Sequence, residues 1–153
     1  MADKIIFEPI GIIHSPFKTP EEAPIQPSRS DGAVGRVELF PEFEEGLADV
    51  EGFSHIILLY HFHLVTGFSL KVRPYLDDRL HGVFATRSPR RPNGVGLSTV
   101  RLIKIDGLIL HIQDIDVVDG TPLLDIKPFV PEFQSSDDIK IGWLTDKLRR
   151  NST

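Results

Sequence analysis

Three arginines in one short segment are the residues of this sequence best suited to chemistry. Residues 82–98 read Gly-Val-Phe-Ala-Thr-Arg-Ser-Pro-Arg-Arg-Pro-Asn-Gly-Val-Gly-Leu-Ser, with the cations at Arg87, Arg90 and Arg91. Proline fixes φ and glycine allows conformations closed to other residues, so we predict a shaped loop here. A rigid loop that carries guanidinium groups is suited to gripping a carboxylate or a phosphate. The alternative is a solvated basic turn.

A second candidate segment is residues 119–131, Asp-Gly-Thr-Pro-Leu-Leu-Asp-Ile-Lys-Pro-Phe-Val-Pro. Its first four residues form a turn by residue chemistry, in which Asp119 can bond nearby backbone amides. Asp125 and Lys127 lie two apart, so in an extended strand they share one face. If that face is the interior of a barrel, this charged pair requires partners, and Arg87 or Arg91 could supply one.

The distribution of charge indicates an anionic partner. The formal net charge is −5, but residues 71–104 carry eight basic and only two acidic side chains. A basic region on an acidic body is what selective contact with phosphate requires. The alternative is that these cations pair with the acidic surplus of the chain.

The histidines give little support for a metal site. His61 and His63 are predicted to share one face of a strand, and the chain has no cysteine. No Glu or Asp is paired with a histidine nearby, so we predict no metal. A histidine metal protein is kept only as a third interpretation.

Alternation of apolar and polar residues with a period of two dominates the chain and must position these segments. It predicts an all-β fold, a single small antiparallel β-barrel with one or two short helices, and one domain over residues 1–153. Asp106-Gly107 is a hairpin signal. Long strands are predicted at 4–13, 36–40, 53–65, 95–105 and 108–117, short ones near 70–73, 83–86 and 123–127, and helices at 41–50 and 139–150.

Several classes of protein are disfavoured. Gly94-Val-Gly96 lacks the spacing of a dinucleotide-binding turn and precedes a β-rich segment, so a Rossmann-type site is not expected. No Gly-x-Ser-x-Gly elbow is present. The N-terminus does not resemble a signal peptide and no apolar run is long enough to cross a bilayer, so we expect a cytoplasmic protein without membrane contact.

The two segments together carry a family resemblance. Residues 84–93 and 119–131 are similar to the two signatures of the TsaA/TrmO-like family, and residues 9–17, 26–27 and 52–55 fit as well. The resemblance spans about Phe7 to Pro131. It implies a β-barrel enzyme that methylates N6 of adenosine in tRNA with S-adenosyl-L-methionine as cofactor. One departure is visible, because the family usually has proline where this chain has Gly94, which should loosen the loop.

The resemblance also implies partners and site residues. The partners are tRNA and, in a homodimer, a second copy of the chain. The substrate is threonylcarbamoyladenosine next to the anticodon, and Asp119 and Asp125 are the candidates for an otherwise unknown base. The implied cofactor-binding residues are Gln26, Pro27, Ser28, His63, Leu64, Arg87, Arg91, Asp119, Gly120, Thr121 and Pro122, and the substrate-binding ones are Arg90, Arg91, Asn93 and Lys127. The rival interpretation is a non-catalytic barrel that binds an adenosyl nucleotide or RNA.

Overall fold

The fold is a closed, fully antiparallel β-barrel of six strands, which confirms the predicted fold class. The structure is a computed structural model that describes residues 2–25, 30–133 and 137–151. The barrel order is β1-β2-β7-β6-β3-β8, and β4 and β5 form a separate two-stranded sheet. The strands are β1 (Gly11–His14), β2 (Val34–Leu39), β3 (His55–His61), β4 (Lys71–Val72), β5 (His81–Gly82), β6 (Val95–Asp106), β7 (Ile109–Gln113) and β8 (Thr121–Pro128).

Helical structure is scarce, as the sequence indicates. Residues 41–50 were predicted as a helix, and they contain a 3₁₀ helix at Pro41–Leu47. The predicted C-terminal helix is present as α1 (Thr145–Asn151), preceded by a 3₁₀ turn at Gly142–Leu144. In the part of the chain that the structure describes, no helix is long and apolar enough to span a membrane.

The chain divides into two compact units. The first consists of residues 1–65 and 94–129 and contains the barrel, and the second consists of residues 66–93 and 130–153. That all 153 residues form a single domain stays a prediction. The two signatures therefore lie largely in different units: the arginine segment belongs mainly to the second unit, and residues 119–129 belong to the first.

The core of the barrel comes from the alternating residues of its strands. In β2, Val37 and Leu39 are buried while Arg36 and Glu38 are exposed, as the period of two predicts. The β6–β7 hairpin is confirmed, with Gly107 and Leu108 as its two loop residues. The core cluster is Ile13, Val37, Ile56, Leu58, Tyr60, Val100, Leu102, Leu110, Ile112, Ile115, Val117 and Leu123.

Four of the expected strands differ from the structure. The strand predicted at 108–117 ends at Gln113. The strand predicted from Lys4 begins only at Gly11, where the chain first pairs with β2 and β8. Residues 83–86 were predicted as a strand, but residues 83–85 form a 3₁₀ turn and the strand lies just before it. The strand predicted to run to Val65 ends at His61. His63 therefore lies in a turn, so the prediction that it shares a strand face with His61 is wrong.

Candidate functional site

The arginine loop, residues 84–93, is held by its own polar side chains. Thr86 closes the preceding 3₁₀ turn, with both its N–H and its hydroxyl donating to the carbonyl of Val83. The hydroxyl oxygen of Thr86 accepts from the Ser88 N–H at 3.3 Å, and that of Ser88 accepts from the Arg90 N–H at 3.3 Å. These are the local bonds by which Ser and Thr shape non-helical backbone. The predicted shaped loop is thus confirmed.

The three arginines of the loop have different environments. Arg91 is partly buried, and its Nη1 donates to the backbone carbonyls of Thr86 at 3.0 Å and Ser88 at 2.9 Å. Its guanidinium therefore braces the loop from within. Arg87 and Arg90 are exposed, and among the described residues no ion pair involves any of the three. Elsewhere in the basic region Arg79 lies 3.7 Å from Asp77 and Lys104 lies 3.4 Å from Asp106, so the alternative of pairing with acidic residues holds for these two cations. Arg87 and Arg90 instead present their charge to solvent, together with exposed Asn93.

The second signature begins in a turn that is tied to β1 and to the segment after it. The N–H of Asp119 donates to Phe17 O at 2.7 Å and that of Gly120 to Ile13 O at 2.8 Å. Gly120 has φ of 85°, a conformation that favours glycine. The Thr121 hydroxyl donates to Val118 O at 2.6 Å. The turn is therefore rigidly attached to the barrel.

Asp119 is the most connected charged group of this turn. Its Oδ1 accepts from the Ser15 N–H at 3.0 Å, and its Oδ2 accepts from Lys18 Nζ at 2.9 Å. The hydrogen bond from Lys18 is the largest influence on the pKa of Asp119 and lowers it; burial acts in the opposite direction, and the hydrogen bond from Ser15 and the charges of Lys18 and His14 lower it further, so the pKa lies below its usual value. An ionised carboxylate with a lowered pKa is a weak proton acceptor but a good partner for a cation.

A polar groove of about 300 Å³ lies beside Asp119 in the first unit. It carries both signs of charge, with Lys18 and Arg36 facing Asp119, and His14 Nε2 donates to Glu38 at 3.1 Å next to it. Ligand pockets start at about this volume. The lining residues are His14, Ser15, Pro16, Lys18, Val34, Gly35, Arg36 and Asp119. Sequence reasoning named only Asp119 among them as a site residue. His14, Ser15 and Pro16 lie in the segment 9–17 that fits the family, but no site role was predicted for them, and the remaining lining residues belong to no motif.

Asp125 and Lys127 lie outside the barrel. Lys127 Nζ is 3.0 Å from Asp125 Oδ2, and both side chains are about half exposed. A bulge in β8 explains this, because Leu59 pairs with Asp125 while Tyr60 pairs with Leu123, which leaves Leu124 without an opposite residue. Beyond the bulge Ile126 packs against the core instead. Because Asp125 and Lys127 pair with each other at the surface, they do not require the arginine partner that a pair inside the barrel would require.

His63 and Leu64 follow the end of β3. Leu64 is 52% exposed and His63 is half-buried. Burial and the nearby His61 lower the pKa of His63, so its imidazole is neutral at pH 7. His61 Nδ1 lies 3.2 Å from Gly94 O. Across residues 2–25, 30–133 and 137–151, no three side chains converge as metal ligands, and Gln26, Pro27 and Ser28 lie outside the described residues.

The fold and these groups define a class: a small closed β-barrel with a rigid polar turn, a charged groove and a braced loop of exposed arginines. Comparison with known proteins specifies it further. Residues 12–135 match the family model of the tRNA-methyltransferase O N-terminal domain. The chain belongs to this family.

Relatives of known name cover most of the chain. A probable S-adenosyl-L-methionine-binding protein of Pyrococcus abyssi is 56% identical over 146 residues, 95% of this chain and 79% of the relative. The tRNA (adenine(37)-N6)-methyltransferase of Mus musculus is 35% identical over 97% of this chain, which spans only 36% of that enzyme. The crystal structure of TrmO from Pseudomonas aeruginosa aligns with a TM-score of 0.77 and 40% identity, over 92% of this chain and 62% of that one.

Proposed function

We propose that the chain is an S-adenosyl-L-methionine-dependent tRNA methyltransferase that methylates N6 of threonylcarbamoyladenosine next to the anticodon. Family membership supports the reaction, since relatives from mouse and human are named tRNA (adenine(37)-N6)-methyltransferases. The observation that carries the proposal for this chain is the intact arginine loop, in which Arg91 braces the backbone and leaves Arg87 and Arg90 exposed. Such a loop matches the phosphates and the threonyl carboxylate of this substrate.

The polar groove fits the charges of the cofactor. S-adenosyl-L-methionine carries a carboxylate, an ammonium and a sulfonium, and the groove offers cations at Lys18 and Arg36 opposite the ionised Asp119. On binding, a positive group of the cofactor would replace Lys18 at Asp119, to which Lys18 is paired at 2.9 Å, and Lys18 and Arg36 would then hold the carboxylate. The rigid turn of Gly120, Thr121 and Pro122 and the chain at His63 and Leu64 would border the adenosyl part, as would Gln26, Pro27 and Ser28. We assign Arg87 and Arg91 to the cofactor as well, Arg91 through the loop shape that it maintains.

Catalysis by these residues would rest mainly on alignment. The cofactor supplies a methyl group already activated on sulfur, so the chain has to hold the adenine N6 in line with it. Positioning of this kind removes on the order of 7–11 kcal/mol from a barrier. The fixed backbone of the Asp119 turn, bonded to Phe17 and Ile13, provides the required rigidity.

The nitrogen must also lose a proton, which the neighbouring ureido group of the substrate makes easier. Asp119 is a poor acceptor because its pKa is lowered and Lys18 occupies it. Asp125 is paired with Lys127 on the outside of the barrel. We propose His63 as the acceptor of this proton: burial and His61 lower its pKa and so favour the neutral imidazole, whose ring nitrogen can accept a proton.

Binding of tRNA is assigned to the basic residues. Segment 66–93 of the second unit holds six basic and two acidic side chains. Arg90, Arg91, Asn93 and Lys127 are the substrate-binding residues that we propose. Contacts of this kind act through phosphate charge, so affinity should fall steeply with salt.

Pairing as a homodimer is part of the proposal. Large apolar side chains are exposed at Phe68 and Leu70 and in particular at Phe84, which is 77% exposed. Exposed apolar groups of this size are typical of protein contact surfaces. Light scattering after size exclusion would give the mass of two chains, and a monomer at micromolar concentration would contradict the pairing. The cytoplasmic location stays a prediction.

One alternative has a specific observation in its favour. The relative from Pyrococcus abyssi, which covers 95% of this chain, is named as a binding protein and not as an enzyme. A barrel that binds the adenosyl cofactor without transferring its methyl group would have the same groove. This second function differs from the first only in turnover.

The deciding experiment is methyl transfer from labelled S-adenosyl-L-methionine to tRNA with and without the threonylcarbamoyl group. We expect label on the modified tRNA, and a loss of tRNA binding in Arg90→Ala. Lys140→Ala, an exposed cation outside the loop, is the matched control and should behave as the wild type. Cofactor binding without label on either tRNA would establish the binding module instead.

A further inference from the structure

The segment that follows the family-matched residues 12–135 contacts the start of the arginine loop. Trp143, the one tryptophan of the chain, donates from Nε1 to the backbone carbonyl of Ala85 at 2.8 Å. Its ring is stacked on His81, with centroids 4.4 Å apart and planes inclined by 25°. All of these residues belong to the second unit. One side chain thus touches both β5 and the 3₁₀ turn that precedes Thr86.

A second set of contacts also joins the C-terminal segment to the chain before the arginine loop, and Asp77 is at its centre. His81 Nε2 donates to Asp77 Oδ2 at 2.8 Å, and Lys147 Nζ of α1 lies 3.6 Å from Oδ1. The Asp77 carboxylate is 8% exposed, and the hydrogen bond from His81 lowers its pKa to about 2. The carboxylate therefore stays charged at any pH near neutral. Trp143 and Lys147 together tie the C-terminal segment to residues 77–85.

The contact of Trp143 with Ala85 lies at the start of the arginine loop. Ala85 directly precedes Thr86, whose carbonyl accepts the brace from Arg91. The other bonds at the base of the loop are few: Val83 N–H donates to Leu70 O at 2.9 Å, and Ser69 N–H to Arg90 O at 3.3 Å. A free 3₁₀ turn of three residues has little stability of its own. The buried side chain of Val83 fixes the first residue of the turn, and the contacts of Trp143 fix its last residue, Ala85.

We propose that Trp143 is a positioning residue that fixes the start of the arginine loop and thereby the direction in which Arg87 and Arg90 are presented. The indole N–H anchors the turn and the stack on His81 sets the angle of the ring. The consequence for tRNA rests on the proposed function, whereas the anchoring itself does not. Trp143 stacks on His81 and donates to Ala85, and it is not assigned to substrate contact.

The anchoring is tested by solvent exchange of single amides, measured by NMR in Trp143→Ala, Trp143→Phe and the control Leu148→Ala, a more exposed residue of α1. Loss of one net hydrogen bond corresponds to about a two- to tenfold change in an opening equilibrium. We expect the amides of Thr86, Ser88, Arg90 and Arg91 to exchange about three- to tenfold faster in Trp143→Ala. Trp143→Phe, which keeps the stack, should give a smaller increase, and Leu148→Ala none.

Two exchange results would overturn the proposal. One is unchanged exchange of the loop amides in Trp143→Ala. The other is an equal increase in the barrel strand β6, which would mean general destabilisation. Because this readout needs no substrate, it decides the anchoring even if the chain transfers no methyl group.

The functional consequence is tested by a double-mutant cycle with Arg90→Ala. We expect Trp143→Ala to raise the KM for tRNA about three- to tenfold and to leave kcat within about twofold. If Trp143 acts through the loop, its effect on KM should nearly vanish in the Arg90→Ala background. If Trp143→Ala raised the KM by the same factor with Arg90 and with Ala at residue 90, the result would contradict action through the loop.

Discussion

Alanine at Gly96 and alanine at Gly94 provide a matched pair of perturbations within one segment. A Cβ at residue 96 would stand 2.7 Å from both Tyr60 Cζ and Phe62 Cζ, closer than real side chains approach. At residue 94 the nearest atom would be Phe62 Cβ at 3.6 Å, an ordinary contact, and φ there lies outside the left-handed region. The first substitution should therefore destabilise the barrel and the second should not.

The magnitude follows from the immobility of the two rings. Tyr60 is 4% exposed, hydrogen-bonded to Ser98 at 2.7 Å and packed edge-to-face on Phe62 at 5.5 Å. Tyr60 cannot withdraw without opening the core, and the half-buried Phe62 packs against it. Overpacking of this kind costs about 1–3 kcal/mol, which lowers the Tm of a chain of this size by roughly 2–12 °C. Gly94→Ala should instead gain about 0.4–1 kcal/mol, because it restricts the unfolded chain.

Urea unfolding followed by far-ultraviolet circular dichroism is the assay, because it reports on the strands of the barrel. Fluorescence is unsuitable, since Trp143 lies in the other unit. The reasoning would be refuted if Gly96→Ala unfolded at the wild-type urea concentration. Equal losses in the two variants would refute it as well, since a Cβ at residue 96 would overlap the rings of Tyr60 and Phe62, whereas one at residue 94 would make an ordinary contact.

Three further outcomes are expected. Asp119→Asn should lower the free energy of unfolding by less than about 1 kcal/mol, because the ion pair with Lys18 is partly exposed. The same variant should bind S-adenosyl-L-methionine at least tenfold more weakly by calorimetry, and unchanged affinity would contradict a cofactor role. The free energy of unfolding of the wild type should exceed that of Asp77→Asn by a constant amount above pH 3.8, the usual pKa, and this difference should decline as the pH falls towards about 2. A decline near the pKa of histidine would contradict this prediction. Gly94→Pro restores the usual family residue and removes only the N–H of residue 94, which donates no hydrogen bond within the described residues. It should raise the free energy of unfolding by about 0.4–1 kcal/mol in urea; a loss would show that the loop needs glycine.

Local patterns in the sequence predicted what local forces determine. The alternation of Arg36 to Phe40 predicted β2 with the correct inward residues, and the composition around Arg87 to Arg91 predicted a shaped loop. The prediction of a strand from Lys4 was wrong, because Ile5, Ile6 and Phe7 form an apolar run that has no partner strand. All three side chains are exposed. Strands require neighbours, which an apolar run does not reveal.

Long-range contacts account for the rest. Lys18 and Asp119 are 101 residues apart, so no spacing indicates their ion pair or the groove beside it. The bulge at Leu124 moved Asp125 and Lys127 outward by shifting the register by one residue. Three arginines look equivalent in the sequence, and only the folded loop distinguishes the brace Arg91 from the exposed pair.

The measurement that tests the central claim most directly is mass spectrometry of nucleosides from tRNA incubated with the chain and S-adenosyl-L-methionine. The account predicts one added methyl group on threonylcarbamoyladenosine, located at N6 by fragmentation, and much less product with Arg90→Ala. Methylation at another nucleoside would contradict the proposed substrate. Unchanged tRNA, despite cofactor binding shown by calorimetry, would contradict the proposed enzyme.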